Sequence, residues 1–292
     1  IPFLYTGVIF YILSYFVGKK LALFLTTLNF FSNFFEGYAL PNIKLISHIN
    51  VGHAEPLAIF FLLVAIAIFI FSLLSKNNNR LNILGFLIGF CLFISVFMRP
   101  DFLPSSLILV LSYIYFHKQN SNLISIIISS FFGFSFVLFI TIHNYIYGNE
   151  LVLFTSNHPI IDMSGSGHNI NVSLGTYIDF FSHLLKLQIS NNADLIYNQI
   201  VRWIKPAEVH YILSILIVIY SLISKNNFVI KVLCLMSISQ HVILLIFEPE
   251  HRYAYLAWIL TIIIVINFIN KVLLNQKIYK KLFHFKNSST ST

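Results

Sequence analysis

Between Glu55 and Lys76 the chain carries no charge, and every residue except Pro56, Ser72 and Ser75 is apolar. A helix needs roughly 20 such residues to cross the hydrocarbon core of a bilayer. In lipid, every backbone N–H and C=O must be satisfied within the segment, which leaves a helix as the one local solution. The same kind of run recurs along the sequence. Nine stretches qualify, at 1–17, 21–38, 56–74, 81–98, 102–116, 123–142, 208–224, 228–247 and 254–270. Over the 292 residues, 58% are hydrophobic and only 10% are charged. A soluble domain has about 25% charged residues, so a soluble enzyme, a disordered tail and a nucleic-acid module are all excluded as readings. The two cysteines, Cys91 and Cys234, lie inside apolar runs and offer neither a metal set nor a disulfide framework. The expected fold is an all-α polytopic membrane protein with about nine transmembrane helices.

The charges orient this layout. If Lys19 and Lys20 face the cytoplasm, alternation places two thirds of the 18 Lys and Arg on that side and all ten acids on the other. Short loops rich in Lys and Arg stay inside. The expected location is the plasma (inner) membrane, with the C-terminus cytoplasmic and the chemistry on the extracytoplasmic face. Four parts follow: helices over 1–142, an extracytoplasmic loop over 143–206, helices over 207–270, and a basic cytoplasmic tail over 271–292 that meets anionic lipid. The loop is far longer than an ordinary connection. Helical spacing of Ile178, Phe181, Leu184 and Leu185 predicts an interfacial helix over 174–189, and 195–203 reads as a second. The chain opens at Ile1 directly in an apolar run, and we expect that a preceding part is missing.

Outward-facing clusters supply the candidate chemistry. His53 and Glu55 precede a strongly apolar run. They are candidates for a divalent metal ion or a substrate hydroxyl, although an acid at a helix start also simply complements the helix dipole. Arg99-Pro100-Asp101 joins two runs with almost no loop. A guanidinium there suits bidentate phosphate binding, and an Arg99–Asp101 ion pair closing the turn is the plainer alternative. Glu250-His251-Arg252-Tyr253 sits in another tight outer turn. It places Arg252 against a lipid phosphate beside Tyr253, with Glu250 and His251 at the substrate. Arg202 and Lys205, late in the long loop, add positive potential over an anionic headgroup or act as anchors at the interface.

The order of these clusters carries a resemblance. Glu55-Pro56-Leu57 opens one span, Gly85 and Gly89 lie in a span ending Arg99-Pro100, Asn144-Tyr145 and Gly148-Asn149-Glu150 lead to Thr155-Ser156-Asn157, and Arg252-Tyr253 opens a late span. This order resembles the GT-C glycosyltransferases, the group related to protein O-mannosyltransferases and aminoarabinose transferases, from about Ile9 to Ile269. The resemblance implies a polyprenyl-phosphate sugar donor, transfer outside the cytoplasm to a glycan, lipid or protein acceptor, an acidic base and basic residues on the carrier phosphate. It also implies a divalent metal ion in some members. The family's base lies in the first outer loop, which we expect in the missing N-terminal part; within this chain Glu55 and Asp101 are the catalytic candidates. Arg99, Arg252 and Tyr253 match the phosphate-binding positions. Another envelope-glycan enzyme, such as an O-antigen polymerase or ligase, and a membrane transporter or lipid flippase are the competing readings. A transporter would carry ionisable groups at the bilayer midplane, where the runs hold only His241 and Lys231.

Overall fold

A computed structural model describes residues 2–31, 55–75, 80–119, 122–136, 209–246 and 255–288, with short pieces at 138–139, 142, 145–146, 160–161 and 167–168. The described elements are α1 (Pro2–Val17), α2 (Lys19–Phe31), α3 (Glu55–Leu74), α4 (Leu81–Met98), a single 3-10 turn (Pro100–Phe102), α5 (Leu103–Phe116), α6 (Leu123–Ser135), β1 (Ile160–Ile161), β2 (Gly167–His168), α7 (Val209–Ile223), α8 (Phe228–Ile246) and α9 (Tyr255–Ser288). Each expected apolar run carries a helix. Three helices are long and apolar enough to cross a membrane: Glu55–Leu74, Leu81–Met98 and the stretch Tyr255–Leu274 of α9. The other apolar helices are shorter. Two findings differ from the sequence expectation. Helix α9 does not stop at Lys271 but continues to Ser288, because no Gly or Pro interrupts it. And β1 pairs with β2 antiparallel, Ile160 opposite His168, inside the segment expected to hold helices. The interfacial helices expected over 174–189 and 195–203 lie outside the described residues.

Helix α3 is apolar all round, and one side of it is fully covered, with Ala58, Ile59, Leu62, Leu63, Ile66, Phe69 and Ile70 at most 1% exposed. Packed against it are α1 and α4. On its other side α4 meets α6, and there the backbones touch. A Cβ added at Gly89 would collide with the Ser130 carbonyl oxygen, and one added at Gly133 with the Phe86 carbonyl oxygen. Gly85 faces the Ser130 hydroxyl, which a Cβ would approach to 2.6 Å. Small residues four apart allow such close approach, and in a bilayer close packing replaces the hydrophobic drive between helices. Helix α8 packs against α5, α7 and α9. At Gly18 the backbone turns with φ of 82°, the left-handed conformation that ends a helix. Large apolar side chains such as Ile124, Ile128, Phe132, Leu213 and Ile223 point outward, 54–79% exposed. An exterior of this kind suits lipid.

Contacts between helices fix which ends lie together. Ser95 Oγ donates to the Ala58 carbonyl at 2.9 Å, so the start of α3 meets the end of α4. Tyr113 Oη donates to the Leu81 carbonyl at 2.5 Å, so the start of α4 meets the end of α5. Asn227 donates to Tyr15 at 2.9 Å, and the Lys271 ammonium bonds the Asn226 side chain. One end of the bundle therefore gathers Tyr15, Arg80, Lys118, Lys225 and Lys271 with their neighbours. Glu55 and Asp101 lie at the other.

Candidate functional site

At that other end, α3 begins and α4 ends, and only Pro100–Phe102 separates α4 from α5. Pro104 enters the first turn of α5, where its missing N–H costs nothing. The turn is too short to carry Arg99 out to solvent. Its guanidinium instead lies between two carboxylates. Nε donates to Asp101 Oδ1 at 2.8 Å and Nη2 to Asp101 Oδ2 at 3.0 Å, a two-bond fork. Nη1 donates to Glu55 Oε1 at 2.9 Å. The three side chains are 12–19% exposed. Charges this far from water must be paired, since an unpaired one bears the full desolvation penalty.

Of the two sequence readings of Arg99, the ion pair with Asp101 is formed, and Glu55 joins it from 44 positions away. The guanidinium edge best suited to grip a phosphate with two bonds, Nε with Nη2, is taken by Asp101. Glu55 and Asp101 bracket a cation already, and Arg99 fills the space between them. Of the expected metal pair His53 and Glu55, only Glu55 is among the described residues, and it is engaged with Arg99. His53, Arg202, Lys205, Glu250, His251, Arg252 and Tyr253 lie outside the described residues. Tyr255, which opens α9, is within electrostatic reach of Glu55.

Behind the ion triad runs a buried polar seam of which sequence analysis singled out only His241. The Gln240 amide, 1% exposed, donates to the Asp101 carbonyl at 3.1 Å and to Ser105 Oγ at 2.9 Å. Ser105 Oγ in turn donates to the Met236 carbonyl at 3.2 Å and lies 3.1 Å from Ser239 Oγ. Beside it, His241 Nε2 is 3.0 Å from Thr261 Oγ1, which is 2.8 Å from Ser237 Oγ. The His241 ring meets Trp258 edge-on, centroids 4.8 Å apart. The signal was available: Ser237, Ser239, Gln240 and His241 crowd one stretch of an otherwise apolar run. Polar groups in such a run pay desolvation unless they find partners. Here they face α5 and α9, which supply them. The network ties α8 to the Arg99–Asp101 turn, so the orientation of the guanidinium depends on three helices.

Comparison with protein-family models, with curated proteins and with solved structures finds no match to this chain.

Proposed function

We propose that the chain is a membrane glycosyltransferase of the GT-C type, moving a sugar from a polyprenyl-phosphate carrier to an acceptor hydroxyl on a glycan, lipid or protein. The proposal includes nine spans, residence in the plasma membrane, a working face outside the cytoplasm and a cytoplasmic C-terminus. The observation that carries it is the meeting of Glu55 with Arg99 and Asp101 at the end of the bundle away from Lys118, Lys225 and Lys271. Two sequence clusters that match the family's order thus converge on one spot. A sharply asymmetric charge distribution also supports it, since Lys and Arg mark the retained side.

The chemistry needs two kinds of group. A carboxylate takes the acceptor's proton as its oxygen bonds to the anomeric carbon. The bond from that carbon to the phosphate oxygen breaks, and its electron pair leaves with the phosphate. Preplaced cations stabilise the growing charge. We assign that role to Arg99 and Arg252, together with Tyr253. His53, Glu250, His251, Arg202 and Lys205 are the residues we assign to substrate binding. A divalent metal ion, where one takes part, would be held by His53 and Glu55.

The test is transfer of radiolabelled sugar from a polyprenyl phosphate in membranes holding the full protein. We expect label on an acceptor, and its loss in Arg99→Ala and in Arg252→Ala while both variants still insert. Full transfer by both would end the proposal. The buried Gln240 and His241 favour one second reading, lipid transport. Proteoliposomes that scramble a labelled lipid but transfer no sugar would select it.

A further inference from the structure

Helix α7 ends at Ile223 and α8 begins at Phe228, and the turn between them is built around Asn226. The Asn226 amide nitrogen donates to the Ser221 carbonyl at 2.8 Å and to Ser224 Oγ at 2.6 Å. The first of these bonds serves a carbonyl that the helix end leaves without a backbone partner. The amide oxygen on the other side accepts from the Lys271 ammonium of α9. Lys271 is therefore anchored on the turn, next to Lys225. An ammonium has three donors, and Asn226 takes one of them. Lys225 and Lys271 are both exposed, and among the described residues neither has an anionic partner. The sequence carries no Asp or Glu between 209 and 247 or between 251 and 292, so α7, α8 and α9 hold no acid that could neutralise them.

Beside this pair the surface is apolar. Leu216, Tyr220 and Ile223 share one face of α7 and are exposed, as are Ile269 and Leu273 on α9. The two helices pack together, with the rings of Tyr220 and Phe268 edge-on at 5.8 Å. Two cations thus stand at the end of an uncovered apolar strip, where the apolar stretch Tyr255–Leu274 runs out. Lysines at that depth hold their charge in the headgroup layer. A phospholipid has the matching parts in the matching order, an anionic phosphate at the head of apolar chains.

We propose that Lys225 and Lys271, ordered by Asn226, bind one anionic phospholipid: its phosphate accepts hydrogen bonds from the two ammonium groups, and its acyl chains lie along the exposed faces of α7 and α9. The bound lipid neutralises the turn and ties α9 to the α7–α8 hairpin. This site lies at the end of the bundle away from Glu55, Arg99 and Asp101, and it stands without the glycosyltransferase reading. It also differs from a diffuse attraction of the basic segment after Lys271, because it depends on two named lysines.

The experiment places the full protein in nanodiscs of phosphatidylcholine and phosphatidylglycerol and reads the retained lipid by native mass spectrometry. We expect phosphatidylglycerol to be retained roughly 30-fold over phosphatidylcholine, the effect of two lysines close to an anionic surface. Lys225→Gln with Lys271→Gln should abolish that preference. Lys280→Gln with Lys281→Gln removes the same charge further along α9 and should leave it intact. Asn226→Asp keeps every lysine but gives Lys271 a carboxylate, and it should weaken retention. Both lysines are exposed, so the first pair of substitutions should not change the unfolding midpoint in pure phosphatidylcholine. It should remove the rise in midpoint that phosphatidylglycerol gives the unaltered protein. Equal loss of retention in the two double variants would reduce the effect to overall charge and overturn the site. No preference in the unaltered protein would overturn it as well. Release of the lipid by excess inorganic phosphate would assign the lysines to a free phosphate and overturn the lipid, whereas retention in its presence upholds it.

Discussion

The Gln240 side chain donates a hydrogen bond to the Asp101 backbone carbonyl across 139 positions of sequence, at 3.1 Å. A late helix thus holds the turn on which the ion triad is built. Removing the amide takes a donor from the Asp101 carbonyl and from the Ser105 hydroxyl, which keeps its contacts with Met236 and Ser239. We expect Gln240→Leu to lower stability by about 1–3 kcal/mol, the cost of an unsatisfied buried polar group. Thermal unfolding of the detergent-solubilised protein checks this. Ser239→Ala, which leaves both Gln240 bonds in place, should have a smaller effect.

The triad itself makes a prediction about charge. Arg99→Met removes the cation that Glu55 and Asp101 share in a partly buried site, and stability should fall by less than the roughly 3–5 kcal/mol lost on breaking a fully buried ion pair. Adding Asp101→Asn to Arg99→Met should recover part of that loss. A double variant no more stable than Arg99→Met alone would show that the two carboxylates do not repel one another in the fold.

Helix α4 meets α6 backbone to backbone at Gly89 and Gly133. Gly89→Ala pushes a methyl into the Ser130 carbonyl, and such overpacking costs about 1–3 kcal/mol. Gly7 on α1 is the control, since a Cβ there would meet nothing within 4 Å. Gly7→Ala should be neutral or stabilising by up to about 1 kcal/mol, the helix preference for Ala over Gly. The melting midpoint should therefore fall in Gly89→Ala and hold or rise in Gly7→Ala.

His117 caps the C-terminal end of α5 between the rings of Tyr113 and Phe116, with Nε2 3.4 Å from Ser72 Oγ. Burial holds its pKa below the usual 6.5 by disfavouring the imidazolium. The unfolded state then binds more protons than the folded one as pH falls through 6.5. The contribution of His117 to stability is present above that pH and is lost on acidification. We expect the unfolding midpoint to fall between pH 7 and pH 5, and His117→Phe to flatten that slope. An identical slope in the variant would assign the acid sensitivity to other groups.

The helices were legible in the sequence for a local reason. Spanning length and the demand for internal backbone bonding act on one segment at a time, so the run from Pro56 announces its own helix without reference to any neighbour. Local signals were weaker at helix ends. Nothing in 255–288 stops a helix, and α9 runs on past the apolar stretch where the sequence suggested a separate tail.

The site was only half legible. Glu55, Arg99 and Asp101 announced themselves because a charge beside an apolar run has to be accounted for. Their relationship did not. From sequence, Arg99 could serve a phosphate or Asp101, and no local rule chooses. Nor could sequence spacing say that Glu55 would reach it, or that Gln240 would brace the turn, because both depend on how α3, α4, α5 and α8 pack. What the sequence determined by itself was the set of helices and the expensive charges at their ends, since these follow from the cost of polar groups in an apolar segment. Only the tertiary structure decided which charge answers which. A charge-assisted hydrogen bond works over about 3 Å, and only the packing of the helices brings residues 44 positions apart to that distance.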